Sequence, residues 1–428
     1  MARCVYTLAL RLLAPLIWLW MARRARRIGG QWGILSSPRF GRYANDADRA
    51  FSKRSPVWVH AVSLGETRAA QPLVQALLDK GLAVLLTHTT ATGCEEGGRL
   101  FAIAITAGQL VQAWLPYDFP GATQGFLRHY APRCGILIER EIWPNLLASA
   151  RRQGVPMAFV SARFSESSLR QARWFGPVLR RALGSLTWVL AQTQADAQRL
   201  QQAGARAPMV TGNIKFDLSL PDTQLQEGRA WKARLDLPVI AIASTREGEE
   251  ASFIEAIRTH SDAALYVLIP RHPQRFDQVA ALLQEAGIGF ERRSSMPQQL
   301  SENTVVLLGD TLGEMPFYYG ASDVAIVAGS FAPFGGHNLI EACAAGVPVI
   351  VGPHTFNFQQ AASDAIEAHA VLRAADTGEA LAQALALLND EPRRLVMKHA
   401  AQAWTASHKG ATTRTLDALA SGLGTGAR

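Results

Sequence analysis

Twice along its 428 residues the chain runs through one alternation: a short run of β-branched or apolar residues, a break marked by Gly, Pro or Ser, then a longer stretch with helical spacing. Few folds satisfy that alternation, because strands joined by crossover helices lie parallel and the helices cover both faces of the sheet. In the first half the runs are VWVHAV (57–62), AVLLTH (83–88), ILIE (136–139), MAFVSA (157–162), WVLAQ (188–192) and MVTG (209–212). A polar, irregular stretch at 213–238 reads as a connection holding a short helix. The second set then follows: VIAIAS (239–244), LYVLIP (265–270), VVLLGD (305–310), VAIVAG (324–329) and VPVIVG (347–352). The reading is α/β, with two doubly wound Rossmann-like domains. Its boundaries are a segment at 1–30, a first domain at 31–212, a linker at 213–238, a second domain at 239–405 and a C-terminal helix and tail at 406–428. The stretch 391–420 reads as helix and is expected to pack back across both domains. Ligands of such sheets bind beyond the strand carboxyl ends, so the domains are expected to face each other across a cleft.

The formal net charge of +8 is concentrated at one end. Arg3, Arg11, Arg23, Arg24, Arg26, Arg27, Arg39, Arg42, Arg49, Lys53 and Arg54 stand in the first 54 residues against Asp46 and Asp48 alone, and the remainder is almost neutral. That distribution points to an anionic membrane surface and away from a nucleic-acid partner. Residues 4–22 are almost wholly apolar, and as helix they reach roughly 28 Å, about one hydrocarbon thickness. Arg11 interrupts them at an insertion cost of about 2.5–3.5 kcal/mol, so spanning the bilayer and lying on it are both open. The dense charge follows the apolar segment with no cleavage site, unlike a secretory signal, and keeps the rest of the chain in the cytoplasm. Cys4, Cys94, Cys134 and Cys343 are too scattered for a zinc site or a disulfide framework.

Five stretches carry the chemistry. In SFAPFGGHNLIEACAAGVPVIVGP (330–353), Gly335-Gly336-His337-Asn338 reads as a loop opening a helix, where bare N–H groups could dock an anion, and Glu341 one turn in suits a sugar or ribose hydroxyl. The plainer reading is a tight turn with a dipole-complementing glutamate. PRHP (270–273) puts Arg271 at a strand's carboxyl end, ready for a phosphate. Gly313, Glu314 and Met315 form a turn before another helix, with Tyr318 and Tyr319 read as packing residues. In the first domain, Ser63-Leu64-Gly65-Glu66 projects Glu66 from a loop into the expected cleft as a general base, or merely starts a helix. ILIEREIWPN (136–145) sets Glu139 and Glu141 two residues apart and initially on one side. Lys215 stands just past the last strand of that domain, and Arg68 and Arg163 are further candidate anchors for substrate anions. No DxD pair or Asp-rich strand end is placed to demand a divalent ion, and HExxH, Walker A and G-x-S-x-G do not occur, so no metal or cofactor is expected.

The GGHN-LIEA-AAGVPVIVGP stretch, PRHPQRF and SLGE together resemble the Kdo transferases of the GT-B superfamily over nearly the whole chain. The resemblance implies a metal-independent, inverting transfer of Kdo, an eight-carbon acidic sugar, from CMP-Kdo to a lipid A precursor at the inner membrane. It implies that Glu66 is the base, and that Pro270, Arg271, Gly313, Glu314, Met315, Asn338, Leu339, Ile340 and Glu341 hold CMP. Gly335, Gly336 and His337 would form a phosphate loop, with Glu139, Glu141 and Lys215 orienting groups or stabilising charge. The alternatives are a membrane-associated GT-B transferase using a UDP-sugar, and a non-catalytic nucleotide-sugar binding protein.

Overall fold

The computed structural model describes residues 2–28, 32–43, 50–261, 263–295 and 300–424; the Arg27 side chain, Asp46, Asp48, Arg49 and the last four residues lie outside them. The chain divides into two compact units, residues 1–218 with 409–428, and residues 219–408.

The first unit is a seven-stranded parallel sheet: β1 (Val57–His60), β2 (Val84–His88), β3 (Leu110–Trp114), β4 (Cys134–Ile138), β5 (Met157–Ala162), β6 (Trp188–Ala191) and β7 (Met209–Val210), in the order β3-β2-β1-β4-β5-β6-β7. The order reverses direction between β1 and β4, and their loops part there to opposite faces. Alternation along each strand builds two cores: Trp58, Leu85, Leu137 and Phe159 pack on one face, Val59, Leu86, Ile136 and Val160 on the other. Trp58 is fully buried beside Gly135, where any Cβ would come within 2.6 Å of the indole.

The second unit repeats the plan with β8 (Val239–Thr245), β9 (Leu265–Pro270), β10 (Phe290–Arg292), β11 (Val306–Leu308), β12 (Val324–Val327), β13 (Val349–Val351) and β14 (Val371–Arg373), in the order β10-β11-β9-β8-β12-β13-β14. All its pairings are parallel. Its switch point lies between β8 and β12. Strands β3, β10 and β14 were absent from the sequence reading, and each is the edge of its sheet.

The stretch read as a linker is divided between the units. Ile214–Asp217 is a 3₁₀ turn of the first unit, whereas the helix Asp222–Lys232 belongs to the second, with Trp231 against Phe317 at 5.8 Å between ring centres. The stretch read as one final helix is two, Glu391–Ser407 and Ala411–Leu423, broken at Gly410 with φ +89°. The Asp217 carboxylate accepts the N–H groups of Gly410 (2.6 Å) and Thr412 (2.5 Å), starting the last helix, which buries Leu416, Leu419 and Leu423 in the first unit.

Ala2–Ile28 is one helix, long and apolar enough to cross a membrane. One stripe of it docks on the first unit. The Tyr6 hydroxyl donates to Asp118 Oδ2 at 2.9 Å, Thr7 bonds Asn145, Ala14 is buried, and Trp18 packs against Phe40, Tyr117 and Phe119. Val5, Leu8, Leu12, Leu16 and Trp20 are exposed.

Candidate active site

In the first unit the candidate residues gather at the switch point, past the carboxyl ends of β1 and β4. Glu66 is not on a loop; it is the third residue of the helix Leu64–Asp79, whose N-cap is Ser63. Its Oε2 accepts the Val62 N–H at 2.6 Å, a variant of the capping box that satisfies an orphan donor at the helix start. The helix-start reading of Glu66 holds, and this bond engages Oε2 and not Oε1. Burial, reinforced by Glu139 and Glu141, pushes the Glu66 carboxyl up to about 8, against the opposing pull of the Val62 N–H and Lys215. Burial likewise raises Glu141 to about 7, opposed by the nearby Trp143 side chain.

Glu139 and Glu141 do not share a side by strand alternation. β4 ends at Ile138, and Glu139 adopts φ +61°, a left-handed conformation that costs a β-carbon residue roughly 1–2 kcal/mol. Its N–H still reaches Val160 O and its carbonyl accepts from Arg163 N, both at 3.0 Å, so the sheet holds the strained residue in place. Lys215 is not a solvated lysine. Its Nζ lies 2.5 Å from Glu139 Oε1, with side-chain exposures of only 15% and 11%. Three carboxylates and one ammonium thus lie close enough to act on one another's charge. Arg68 stands apart, engaged at 2.6 Å by the Glu96 carboxylate that also takes Arg99. Burial lowers the pKa of Arg163, with Arg140 adding to the effect.

The candidates of the second unit lie along the carboxyl edge of β11, β9, β8 and β12, four adjacent strands. Gly335 and Gly336 have φ +94° and +78°, a left-handed pair that no helix accommodates, so the expected helix opening is a loop and the helix begins at Ile340 and runs only to Ala344. Of the N–H groups of this pair, that of Gly336 is already spent inside the loop. Gly336 N donates to Gly329 O at 2.7 Å, and Asn357 holds the loop through Gly335 O and Phe334 O. Glu341 is the second residue of the helix, and Asn338 Nδ2 donates to its Oε1 at 2.9 Å. Leu339 and Ile340 are buried, and the Ile340 N–H donates to Asn338 Oδ1 at 3.2 Å.

Arg271 follows β9, anchored by its N–H to Thr245 O at 3.0 Å. Gly313, φ +83°, precedes the helix Met315–Gly320 as expected, but the Glu314 carboxylate is taken by Arg293 at 2.8 Å and by the Thr311 hydroxyl. What remains for a ligand there is backbone. Tyr318 and Tyr319 are buried packing residues, as read.

The sequence reading missed Arg246 and Glu249. Arg246 follows β8, with its guanidinium 4.3 Å from the Phe334 ring centre, and its charge with that of Arg271 helps depress His272 to about 4 and His337 to about 3, burial being the larger cause for both. The two imidazoles are therefore neutral beside two guanidinium groups. Glu249, 3% exposed, accepts from Arg246 N, Gly329 N, Phe331 N and Ala332 N, tying the β8 and β12 loops together across the switch point. A basic residue directly after a strand, STREGEE after VIAIAS, was the available signal; it is the same pattern as PRHP after LYVLIP.

Known proteins resemble this chain along its length. Residues 36–218 match the family model described as 3-deoxy-D-manno-octulosonic-acid transferase (kdotransferase), and residues 292–404 match glycosyl transferases group 1. The 3-deoxy-D-manno-octulosonic acid transferase of Bordetella pertussis is 65% identical across 99% of this chain and 100% of its own length. This chain belongs to the Kdo transferase family. That of Haemophilus influenzae is 34% identical over 90% of this chain and 93% of its own. Membership makes the chain a glycosyltransferase of the family that acts in lipopolysaccharide biosynthesis. A solved UDP-GlcNAc 2-epimerase of Neisseria meningitidis superposes with a TM-score of 0.59, 86% of this chain on 100% of that one, at 16% identity, and shares the two-domain GT-B fold.

Proposed function

We propose that the chain transfers Kdo from CMP-Kdo to a hydroxyl of a lipid A precursor, with inversion, and that Glu66 is the base. The acceptor oxygen forms a bond to the anomeric carbon, the bond from that carbon to the phosphate oxygen breaks, CMP leaves with the electron pair, and the acceptor proton passes to Glu66 Oε1. The observation that carries this role is the carboxyl of about 8 beside the Glu139–Lys215 pair, since a base works best when its pKa lies near the working pH. Glu139 and Lys215 act in this reading as a positioned pair that sets the field at Glu66, with Glu141 adding negative charge.

The donor belongs to the second unit. Pro270 and Arg271, the backbone of Gly313 to Met315, and Asn338 to Glu341 hold CMP, and the Gly335-Gly336-His337 turn receives its phosphate. Arg246 adds a second guanidinium to meet the charge on departing CMP. Residues 31–212 serve the acceptor and 239–405 the donor. The Ala2–Ile28 helix, with the basic residues that close it, keeps the enzyme at the cytoplasmic face of the inner membrane, where an acylated acceptor resides.

The test incubates the full-length protein with CMP-Kdo and a tetraacylated lipid A precursor and weighs the product. A gain of one or more Kdo units is expected. A thermal-shift titration with CMP, UDP and UMP runs beside it, and stabilisation by the uridine nucleotides alone overturns the donor assignment in favour of a UDP-sugar.

A further inference from the structure

The arginine in the middle of the apolar helix has a place in the fold. Thr7, Arg11, Ala14, Trp18 and Met21 recur at spacings of four, three, four and three, which put them on one helical stripe. Thr7, Ala14, Trp18 and Met21 on that stripe all meet the first unit. Arg11 therefore faces the protein body, while Val5, Leu8, Leu12, Leu16 and Trp20 point elsewhere and are exposed. A helix pinned to the same unit near Tyr6 and again at Trp18 lies along that unit's surface over about 18 Å of its length.

Opposite Arg11 the stripe does not close. A cavity of about 830 Å³ opens between the helix and the segments 35–42 and 119–122. Arg11 and Arg42 line it together with Trp18, Leu35, Phe40 and Phe119, and no acidic side chain is among its lining residues. Two guanidinium groups over an aromatic and aliphatic floor match a phosphodiester joined to a hydrocarbon chain, and the volume is that of an ordinary small-ligand site. One wall is the helix whose outer face is apolar and exposed, so the molecules at the cavity mouth are the lipids of the surrounding leaflet.

We propose that this cavity holds one anionic phospholipid, its phosphate between Arg11 and Arg42 and the start of an acyl chain over Trp18 and Phe119, and that this lipid completes the seam between the helix and the first unit. The inference rests on the membrane-surface reading above. It assigns the helix to the plane of the membrane and gives Arg11 an anion in place of hydrocarbon.

The experiment uses full-length protein purified in mild detergent from membranes and exchanged into phosphatidylglycerol or phosphatidylcholine, with bound lipid read by native mass spectrometry. About one phosphatidylglycerol per chain is expected, with phosphatidylcholine and inorganic phosphate retained roughly tenfold less. R11Q/R42Q, and separately Leu35→Asp, should lose the bound lipid about tenfold, while a R23Q/R24Q control keeps it. All of these positions are exposed, and an unchanged thermal melt certifies the fold of each variant. Equal retention by R11Q/R42Q and the parent, equal retention of phosphatidylcholine, or displacement of phosphatidylglycerol by stoichiometric lipid A precursor overturns the proposal; the last result makes the cavity an acceptor subsite. Flotation on phosphatidylglycerol vesicles separates the two levels, because failure of the parent protein to float refutes the membrane-surface reading, whereas flotation without a retained lipid refutes only the cavity's role.

Discussion

Lys215 shows how one side chain can govern a site it does not complete. Its ammonium lies 2.5 Å from Glu139, and both groups lower or raise the cost of charging Glu66. Replacing it by methionine strands the Glu139 charge in a half-buried place, for which about 3 kcal/mol of stability is the ordinary loss. The same change removes an attraction that favours ionised Glu66, so the rising limb of activity moves further up in pH. Denaturant unfolding and a pH–rate profile of K215M check both effects; wild-type stability with an unshifted limb contradicts the pairing. Glu66 itself has a linkage signature. Its folded value of about 8 lies above the ordinary 4.5, so the native state binds the proton more tightly and stability contributed by the neutral form is lost as pH rises between those values.

At the scale of elements, the two glycine turns of the second unit separate strain from crowding. Gly313 and Gly335 both have left-handed φ, but a Cβ on Gly313 meets nothing within 4 Å, whereas one on Gly335 comes within 2.4 Å of both Asn357 Nδ2 and Phe356 Cε2. G313A should cost about 1 kcal/mol from backbone strain alone. G335A should cost roughly 3 kcal/mol, since the side chains that secure the loop must move as well. Equal losses in denaturant unfolding contradict the account of the loop. The same elements mark where the amino-acid sequence was and was not legible. β1 and β4 read clearly because every residue in them is buried and all but His60 are apolar. β3, β10 and β14 did not, because an edge strand has a partner on one side only, and these carry mixed runs such as Phe290-Glu291-Arg292 with half-buried or exposed positions. The Gly335-Gly336 loop was misread as a helix start because composition signals a turn without giving the sign of φ. Asp217, which caps a helix 193 residues away, leaves no local trace at all.

At the scale of the whole molecule, two sheets of one plan are used for different chemistry. Each unit places its polar groups where strand order reverses, the first gathering carboxylates around one lysine and the second gathering arginines around neutral histidines and glycine N–H groups. Acid in one unit and cation in the other is the division of labour that transfer from an anionic donor to a neutral hydroxyl requires. The basic N-terminal segment, legible from charge distribution alone, belongs to the first unit. That Glu66 would stand near Glu139, Glu141 and Lys215 was expected only as a common location; the ion pair and the capping bond depend on the left-handed turn at Glu139 and on Ser63, which no pattern of hydrophobicity reports. The most direct test of the central claim is the pH–rate profile of Kdo transfer from CMP-Kdo by the wild-type protein and by E66Q at saturating acceptor. The account predicts a wild-type rate that climbs with pH to a plateau above about 8, and an E66Q protein that still binds CMP but has lost the limb and about a thousandfold of its rate. An E66Q protein that transfers Kdo at the wild-type rate with the same profile contradicts it.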